Sequence, residues 1–444
     1  MVFTPYNDRS QMSTIIAMLN QTEPLIDLMD NPPENINRPL AEPVTVEDPA
    51  ITQLRTDILA HIDSLRLPAL DAAAPDKEII RYSHAQKRQE VTQQEWQVIG
   101  PRVNRLIENF ANGDEVNPER IRPELVPVIS GHWTGHLFRL ATLLWSIPVS
   151  HGYGRRIRFL VRDQYNGKLI GIFALGDPVF NLHCRDQWIG WNVDDRRERL
   201  VHLMDAYVVG AVPPYNEILG GKLVASLIGS AEVSQAFSQK YGNATGIISG
   251  QNKAARLMLV TVTSALGRSS LYNRLKLKNG DGNSLVELLV IGETRGYGHF
   301  QLSNELFERI RQLLVDENHP YANGHQFGQG PNWRFRVLRV GLKRLGLDEE
   351  LIRHGIHRKV YAMPMVSDFK DFLCGRSQEM NLNRPTIDAI STAALNRWVI
   401  PRSLRCPQYQ QFQRHQVLER IGIAVELGTP ANAEAQVEQL TLLQ

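Results

Sequence analysis

Apolar positions along this chain keep helical spacing at both ends and lose it in the middle. From Ile51 to about Phe110, Leu54, Ile58, Ile62 and Leu65 recur every three or four residues, and Val98, Val103, Leu106, Ile107 and Phe110 do so more loosely, which predicts helices. After Gly131 the pattern changes. Ile157 to Arg162 alternates in part, Lys168 to Gly176 is a compact apolar run, and Asn166-Gly167 between them signals a hairpin of two antiparallel strands. Asp195 stands three residues before Glu198 in a capping-box arrangement, predicting a helix with Leu200, Leu203, Met204 and Tyr207 on one face. Val208 to Val212 then reads as a short strand that stops at Pro213-Pro214.

A further helix is expected from near Asn216, with Leu219, Leu223, Val224 and Leu227 inward, and another from Val233 to Tyr241, closed by Gly242. Leu257 to Val262 and Leu285 to Gly292 read as strands. The middle of the chain is therefore α+β, a mixed, largely antiparallel sheet with helices. Beyond Tyr297, Leu302, Leu306, Ile310 and Leu313 form a helical stripe with Ser303 as N-cap, and a second helix runs from about Trp333 to Leu345. Residues 1 to 50 carry a short amphipathic segment around Ile15 and Leu19 and then Pro32, Pro33, Pro39, Pro43 and Pro49, as an arm or linker would. The organisation read from these patterns is an arm (1–50), a helical region (51–130), an α+β core (131–300), a basic helical region (301–375) and a C-terminal extension (376–444) that ends in a polar tail from Gly428.

Composition narrows the class without naming a chemistry. The 444 residues, 43% of them apolar, suffice for large cores, and 49 Lys and Arg against 47 Asp and Glu leave a net charge of +2. Any affinity for nucleic acid must therefore come from a local patch. Cys184, Cys374 and Cys406 lie far apart and form no Cys-x-x-Cys, which argues against a disulfide framework and a thiolate zinc site. With no run of about twenty apolar residues and no cleavage-like signal, the chain is expected to be cytoplasmic and without a membrane partner.

Several clusters are candidates for chemistry. In Pro213-Pro214-Tyr215-Asn216-Glu217-Ile218-Leu219-Gly220-Gly221-Lys222 a strand passes through a turn into a helix start, where free backbone N–H groups can hold a phosphate. It is not a Walker loop, because Asn216 and Leu223 replace the Gly and the Ser or Thr that such a loop requires. The same glycines equally suit close helix packing. Asp186 beside Arg185 is either a general base or half of a structural ion pair. Arg196, Arg197 and Arg199 read as a solvated face near a helix start. Tyr272 is a general acid only if its hydroxyl lines a cleft; otherwise it packs.

His132-Trp133-Thr134-Gly135-His136 has i, i+4 histidines, but Trp133 stands where a zinc peptidase needs its glutamate, and no metal site is expected. His354 and His357 sit in a basic turn. The nucleic-acid candidate is Trp333-Arg334-Phe335-Arg336 with Arg339, Lys343 and Arg344: Arg336, Arg339 and Lys343 share one helical face, and Leu338, Leu342 and Leu345 occupy another. Trp333 and Phe335 either stack on exposed bases or close the core at the helix entrance.

The residues Arg185-Asp186-Gln187-Trp188-Ile189-Gly190-Trp191, Arg196 to Leu200 and Gly220 to Ser226 resemble those of the DruA family of Druantia anti-phage defence systems. So do Thr294-Arg295-Gly296-Tyr297-Gly298, Gly330-Pro331-Asn332-Trp333-Arg334 and His354-Gly355 with Arg358. The likeness spans about Ile157 to Gly375. It implies a bacterial antiviral component acting with other Druantia proteins, among them a helicase-like subunit, and it implies no established reaction or cofactor; DNA or RNA is expected as a partner from the basic Arg334 to Arg344 face. The element order is also similar to the GNAT acyltransferase fold and to phage Mom DNA-modification proteins, which places the helix after Pro214 at an acyl-CoA pyrophosphate and Tyr272 on a late helix. Glu217, Gly220 and Lys222 depart from the GNAT phosphate loop, since Glu217 would repel a pyrophosphate and Lys222 would crowd it. Asp186, Ser226 and Tyr272 are the catalytic candidates, and Arg185, Tyr215, Gly220, Gly221 and Lys222 the ligand-binding ones. A non-catalytic scaffold is the third possibility.

Overall fold

Gly167 adopts the left-handed region (φ 71°), where a side chain would be strained, and so turns the chain between two strands as the Asn166-Gly167 pair predicts. The structure is a computed structural model that describes residues 48–65, 76–150, 154–243, 254–294, 302–324, 331–352, 357–378 and 383–423. All of these except Asp48 and Pro49 belong to one compact unit, Ala50–Gln444. The expected arm at 1–47, the tail from Gly428, and residues 295–298, 330 and 354–355 of the family-like motifs lie outside the described residues.

The strands in chain order are β1 (Pro123–Pro127), β2 (Arg156–Asp163), β3 (Leu169–Gly176), β4 (Leu203–Ala211), β5 (Leu259–Thr263), β6 (Lys276–Lys278), β7 (Ser284–Glu287), β8 (Leu289–Glu293) and β9 (Lys359–Pro364). Seven of them form one sheet in the order β1-β2-β3-β4-β5-β9-β8, while β6 and β7 pair separately. Neighbours in the large sheet are antiparallel except β4 and β5, which run parallel. That parallel pairing covers only Leu203 to Asp205 against Leu259 to Thr261, so the two strands part beyond it. The fold class is α+β with a largely antiparallel sheet, as the sequence suggests.

The helices before β2 are α1 (Pro49–Leu65), α2 (Asp76–Ser83), α3 (Ala85–Ile99), α4 (Val103–Ile107) and α5 (Trp133–Thr142). Between β3 and β5 come α6 (His183–Ile189), α7 (Val193–Arg199), α8 (Gly220–Leu227) and α9 (Ala231–Tyr241). They are followed by α10 (Asn304–Asp316), α11 (Pro331–Arg344), α12 (Phe369–Leu373), α13 (Ile387–Ala394), α14 (Ile400–Arg405) and α15 (Gln416–Ile421). Pro49 suits a helix start because its missing N–H would find no partner there.

One sheet face packs Phe159, Phe173 and Met204 against Leu223 and Val224 of α8, Phe237 of α9 and Ile390 of α13. The other packs Leu160, Ile172 and Val208 against Ile99 of α3, Leu137 and Leu140 of α5 and Leu418 of α15. A third core joins Leu54, Ile58 and Ile62 of α1 to Leu306 and Ile310 of α10 and Val337, Leu338 and Leu342 of α11. The stripes that predict α1, α10 and α11 are thus the surfaces that meet one another. Ser303 caps α10 by accepting a hydrogen bond from the Leu306 N–H, as expected.

Three expectations change. The helix read as starting at Asp195 is the short α7, capped by Asn192 with Asp195 as the reciprocal partner, and it ends at Arg199. Leu203, Met204 and Tyr207 belong to β4 instead, because a central strand covered on both faces needs apolar residues at successive positions, and this imitates helical spacing. Leu285 to Gly292 divides between β7 and β8, which lie in different sheets. Gly242 follows α9 with a right-handed φ of −56°, not the left-handed turn of a glycine stop.

Candidate functional site

Asp186 lies in the first turn of α6, and both of its carboxylate oxygens are already engaged. Its Oδ1 accepts from Arg185 Nε at 2.8 Å and from Trp191 Nε1 at 3.0 Å; its Oδ2 accepts from the Leu182 N–H at 3.1 Å and from Arg196 Nη1 at 2.8 Å. Arg185 is fully buried and donates on to the carbonyls of Val179 and Phe180, both at 2.8 Å. The pair therefore ties the loop after β3, α6 and α7 into one knot. Both carboxylate oxygens are taken, so in this arrangement Asp186 has no lone pair facing a substrate. Arg196, Arg197 and Arg199 sit in the last turn of α7, where cations suit the helix dipole, and not near its start.

The turn after β4 brings together Tyr215, Gly220, Gly221 and Lys222. Tyr215 is buried and donates its hydroxyl proton to Asp163 Oδ2 at 3.0 Å, while its hydroxyl oxygen accepts from Asn166 Nδ2 at 2.9 Å. The Gly220 N–H bonds the Tyr215 carbonyl at 2.8 Å, and the Lys222 N–H bonds the Leu219 carbonyl at 2.9 Å, so two of the N–H groups expected for a phosphate are spent inside the turn. A Cβ on Gly220 would lie 2.6 Å from the Tyr215 carbonyl oxygen, and one on Gly221 2.8 Å from a Leu271 methyl. Close packing accounts for both glycines. Lys222 Nζ donates to the carbonyls of Leu271 (3.2 Å) and Asn273 (3.4 Å), and burial holds its ammonium below the ordinary lysine range, with Arg397 adding to the effect.

Gly221, Lys222 and Leu271 border a cavity of about 410 Å³ that also reaches Val209, Ala211 and Trp145. Ser226 does not reach it: the residue is fully buried, and its hydroxyl donates to the Lys222 carbonyl one turn back at 2.8 Å. Tyr272 lies in a turn, not on the expected helix, with its ring 5.5 Å from that of Tyr361; burial pushes its hydroxyl well above the ordinary tyrosine range. Asp186, Ser226 and Tyr272 are thus held by three separate sets of partners.

On α11, Trp333 is buried, donates its Nε1–H to the Tyr321 carbonyl at 2.6 Å and meets Phe307 edge to face. Arg334 stacks 3.9 Å over the same Phe307 ring. Arg336 donates to the Tyr321 hydroxyl at 3.2 Å, Arg339 pairs with Glu349 at 2.6 Å, and Lys343 is exposed. Of the stacking and core-closing alternatives for Trp333, the residue occupies the core. His132 precedes α5 and His136 lies within it, and among the described residues no group of three or more His, Cys, Asp or Glu could hold a metal.

Sequence reasoning missed Asp205. It sits on β4 at the last pairing position before the strands part, and the Thr261 hydroxyl donates to its carboxylate. Burial pushes the Asp205 carboxyl up to about 7, against the pull of the Arg185 charge and the Val179 N–H. The available signal was a lone carboxylate inside the apolar run Leu203–Ala211.

The family profile described as Druantia protein DruA matches residues 74–375. A Druantia protein DruA of Escherichia coli (strain UMEA 4076-1) is 44% identical over 375 residues, which cover 83% of this chain and 92% of that protein. No solved structure matches the chain.

Proposed function

The chain belongs to the DruA family, and from that premise we propose that it is a component of a bacterial Druantia anti-phage system that binds nucleic acid in a complex with other system proteins, including a helicase-like subunit. The observation that carries the nucleic-acid part is α11: its buried Val337, Leu338 and Leu342 fix one face, which leaves Arg336, Arg339 and the exposed Lys343 together on another. Glu349 offsets one of these charges. A gel-shift titration of the purified protein with single-stranded DNA, duplex DNA and RNA at rising salt tests the reading. Binding that weakens with salt, and weakens further across all sequences in Arg336→Glu/Lys343→Glu, is expected. An absence of salt-sensitive binding by the wild type would remove the reading.

A second reading, an acyltransferase-like enzyme acting on a nucleobase or small molecule, is favoured by one observation. The sheet has a single parallel pair that parts after Asp205, and α8 follows the first strand of that pair beside the 410 Å³ cavity. Against acyl-CoA stand Lys222, which crosses the helix start to the Leu271 carbonyl, and Glu217, which pairs with Arg420 at 3.1 Å. Calorimetry with acetyl-CoA, together with phage plating on Asp186→Asn and Tyr272→Phe cells, separates the readings. No heat and full resistance would leave the enzymatic one without support.

A further inference from the structure

A second cavity, of about 460 Å³, opens on the opposite sheet face from α8, between β2, α3, α5 and the end of α9. Arg88, Arg139, Arg156, Arg158 and Lys240 line it, and among the described lining residues Glu95 is the one carboxylate. These cations come from four separate elements, so no single charge run in the sequence marks the site.

Local structure explains how they converge. Arg156 and Arg158 alternate on β2 with Ile157 and Phe159, whose side chains enter the α8-facing core, so both guanidinium groups project to the other face. On β4, Ala206 and Val208 pair with Leu175 and Ala174, which leaves Tyr207 as the extra residue of a β-bulge. A bulge re-aims a side chain, and here Tyr207 and Val208 both turn toward the face that carries the cavity. Burial pushes the Tyr207 hydroxyl up, while the charges of Arg158 and Arg156 pull against it, which places the phenol among the guanidinium groups.

Several of the partners that position these cations are neutral. Arg158 donates to the Ser130 hydroxyl at 2.8 Å, Arg88 to the Arg420 carbonyl at 3.0 Å and Lys240 to the Arg156 carbonyl at 2.8 Å. Such bonds fix geometry without cancelling charge. Arg139 pairs with Glu95 at 3.1 Å. A concave surface with this balance concentrates a positive field, and Trp145 and Tyr241 add flat apolar area along its wall.

We propose that this cleft binds the phosphodiester backbone of a nucleic acid, as a site distinct from α11. The proposal rests on the nucleic-acid reading above for the identity of its ligand. Cations spread over four elements suit a chain of phosphates better than one terminal phosphate, which needs donors converging on a point. The aromatic residues between them suit unpaired bases, so single-stranded substrate is expected to bind more tightly than duplex.

The test is fluorescence anisotropy of the full chain with a labelled single strand of DNA, its duplex and the matching RNA, across a salt series, with ATP as competitor. The variant is Arg156→Glu/Lys240→Glu, both at exposed positions; Arg156→Gln/Lys240→Gln is the milder version should the reversal disturb folding, and Lys278→Glu on β6 is the charge control. Tenfold or greater weakening in the reversal, a smaller loss in the neutral variant, and a log–log salt slope reduced by roughly 1.4 to 1.8 for two lost phosphate contacts would support the cleft, given unchanged binding by Lys278→Glu. Wild-type affinity and slope in both cleft variants, with loss confined to Arg336→Glu/Lys343→Glu, would overturn the cleft and leave the nucleic-acid reading standing. Displacement of the strand by micromolar ATP would identify a mononucleotide site instead and overturn the proposal. No binding of any nucleic acid by the wild type would remove the reading together with the proposal.

Discussion

Arg185 and Asp186 are neighbours in sequence and also in contact, with Nε to Oδ1 at 2.8 Å and the guanidinium wholly out of solvent. A buried cation without its carboxylate is far costlier than the pair, so the contact governs the loop after β3 and both short helices that follow.

Arg185→Ala should lower the free energy of unfolding by about 3 to 5 kcal/mol, because it leaves Asp186 and the Val179 and Phe180 carbonyls short of donors. Asp186→Asn should cost less, since the amide oxygen still accepts from one side. Urea denaturation measures both. Loss of phage resistance in Asp186→Asn at unchanged stability would instead assign Asp186 a chemical role.

Tyr215→Phe removes the hydroxyl that joins Asp163 to Asn166 under the hairpin turn. The buried Asp163 keeps the N–H groups of Arg122 and Tyr165, both at 3.0 Å, so the loss should be about 1 to 3 kcal/mol and not collapse of the turn. Equilibrium denaturation of the variant with an unchanged m-value is the expected result.

His202 is buried under Phe372, accepts the Arg256 N–H at its Nδ1 and is held down to about 4, chiefly by burial. The unfolded chain takes up this proton near pH 6.5 and the folded chain only near 4. The neutral imidazole therefore contributes stability above pH 6.5 that is lost as pH falls toward 4, on the order of 3 kcal/mol in all. The His202 C2–H resonance should not shift between pH 7.5 and 5.5, and His202→Asn should remove this acid-side loss relative to wild type.

Asp205 has the opposite sign. Its folded value of about 7 lies above that of the unfolded chain, so its protonated form contributes stability that is complete below about pH 4 and gone by the time pH has risen through 7. Asp205→Asn should stay level over that window while wild type declines relative to it. Parallel thermal melts of the two proteins from pH 4 to 8 check the sign.

The sequence discloses what is local and conceals what is assembled. Asn166-Gly167 and the Leu302, Leu306, Ile310 stripe specify their elements from within a few residues, and both are found. The end of β4 is legible as the strand read at Val208 to Val212, but its start is not, because Leu203 and Met204 are buried in different cores and Tyr207 is bulged, so neither alternation nor helical period is clean. Trp333 reads as suited either to a base or to a core until Phe307 and Tyr321, earlier in the chain, arrive beside it. Arg88, Arg156 and Lys240 lie in unrelated segments and share a cleft only after folding.

The parting of β4 from β5 leaves the middle of the sheet with an interior edge. The Val212 N–H bonds the Ile170 carbonyl, and counting back along the antiparallel register places the N–H groups of Gly210 and Val208 toward β3 and those of Val209 and Ala211 toward the opening. Backbone protection should accordingly alternate along a strand that is central by position: in hydrogen–deuterium exchange, Val209 and Ala211 are expected to exchange orders of magnitude sooner than Val208 and Gly210. Any ligand or partner segment that completes the ladder would be seen first as slowed exchange at those two amides.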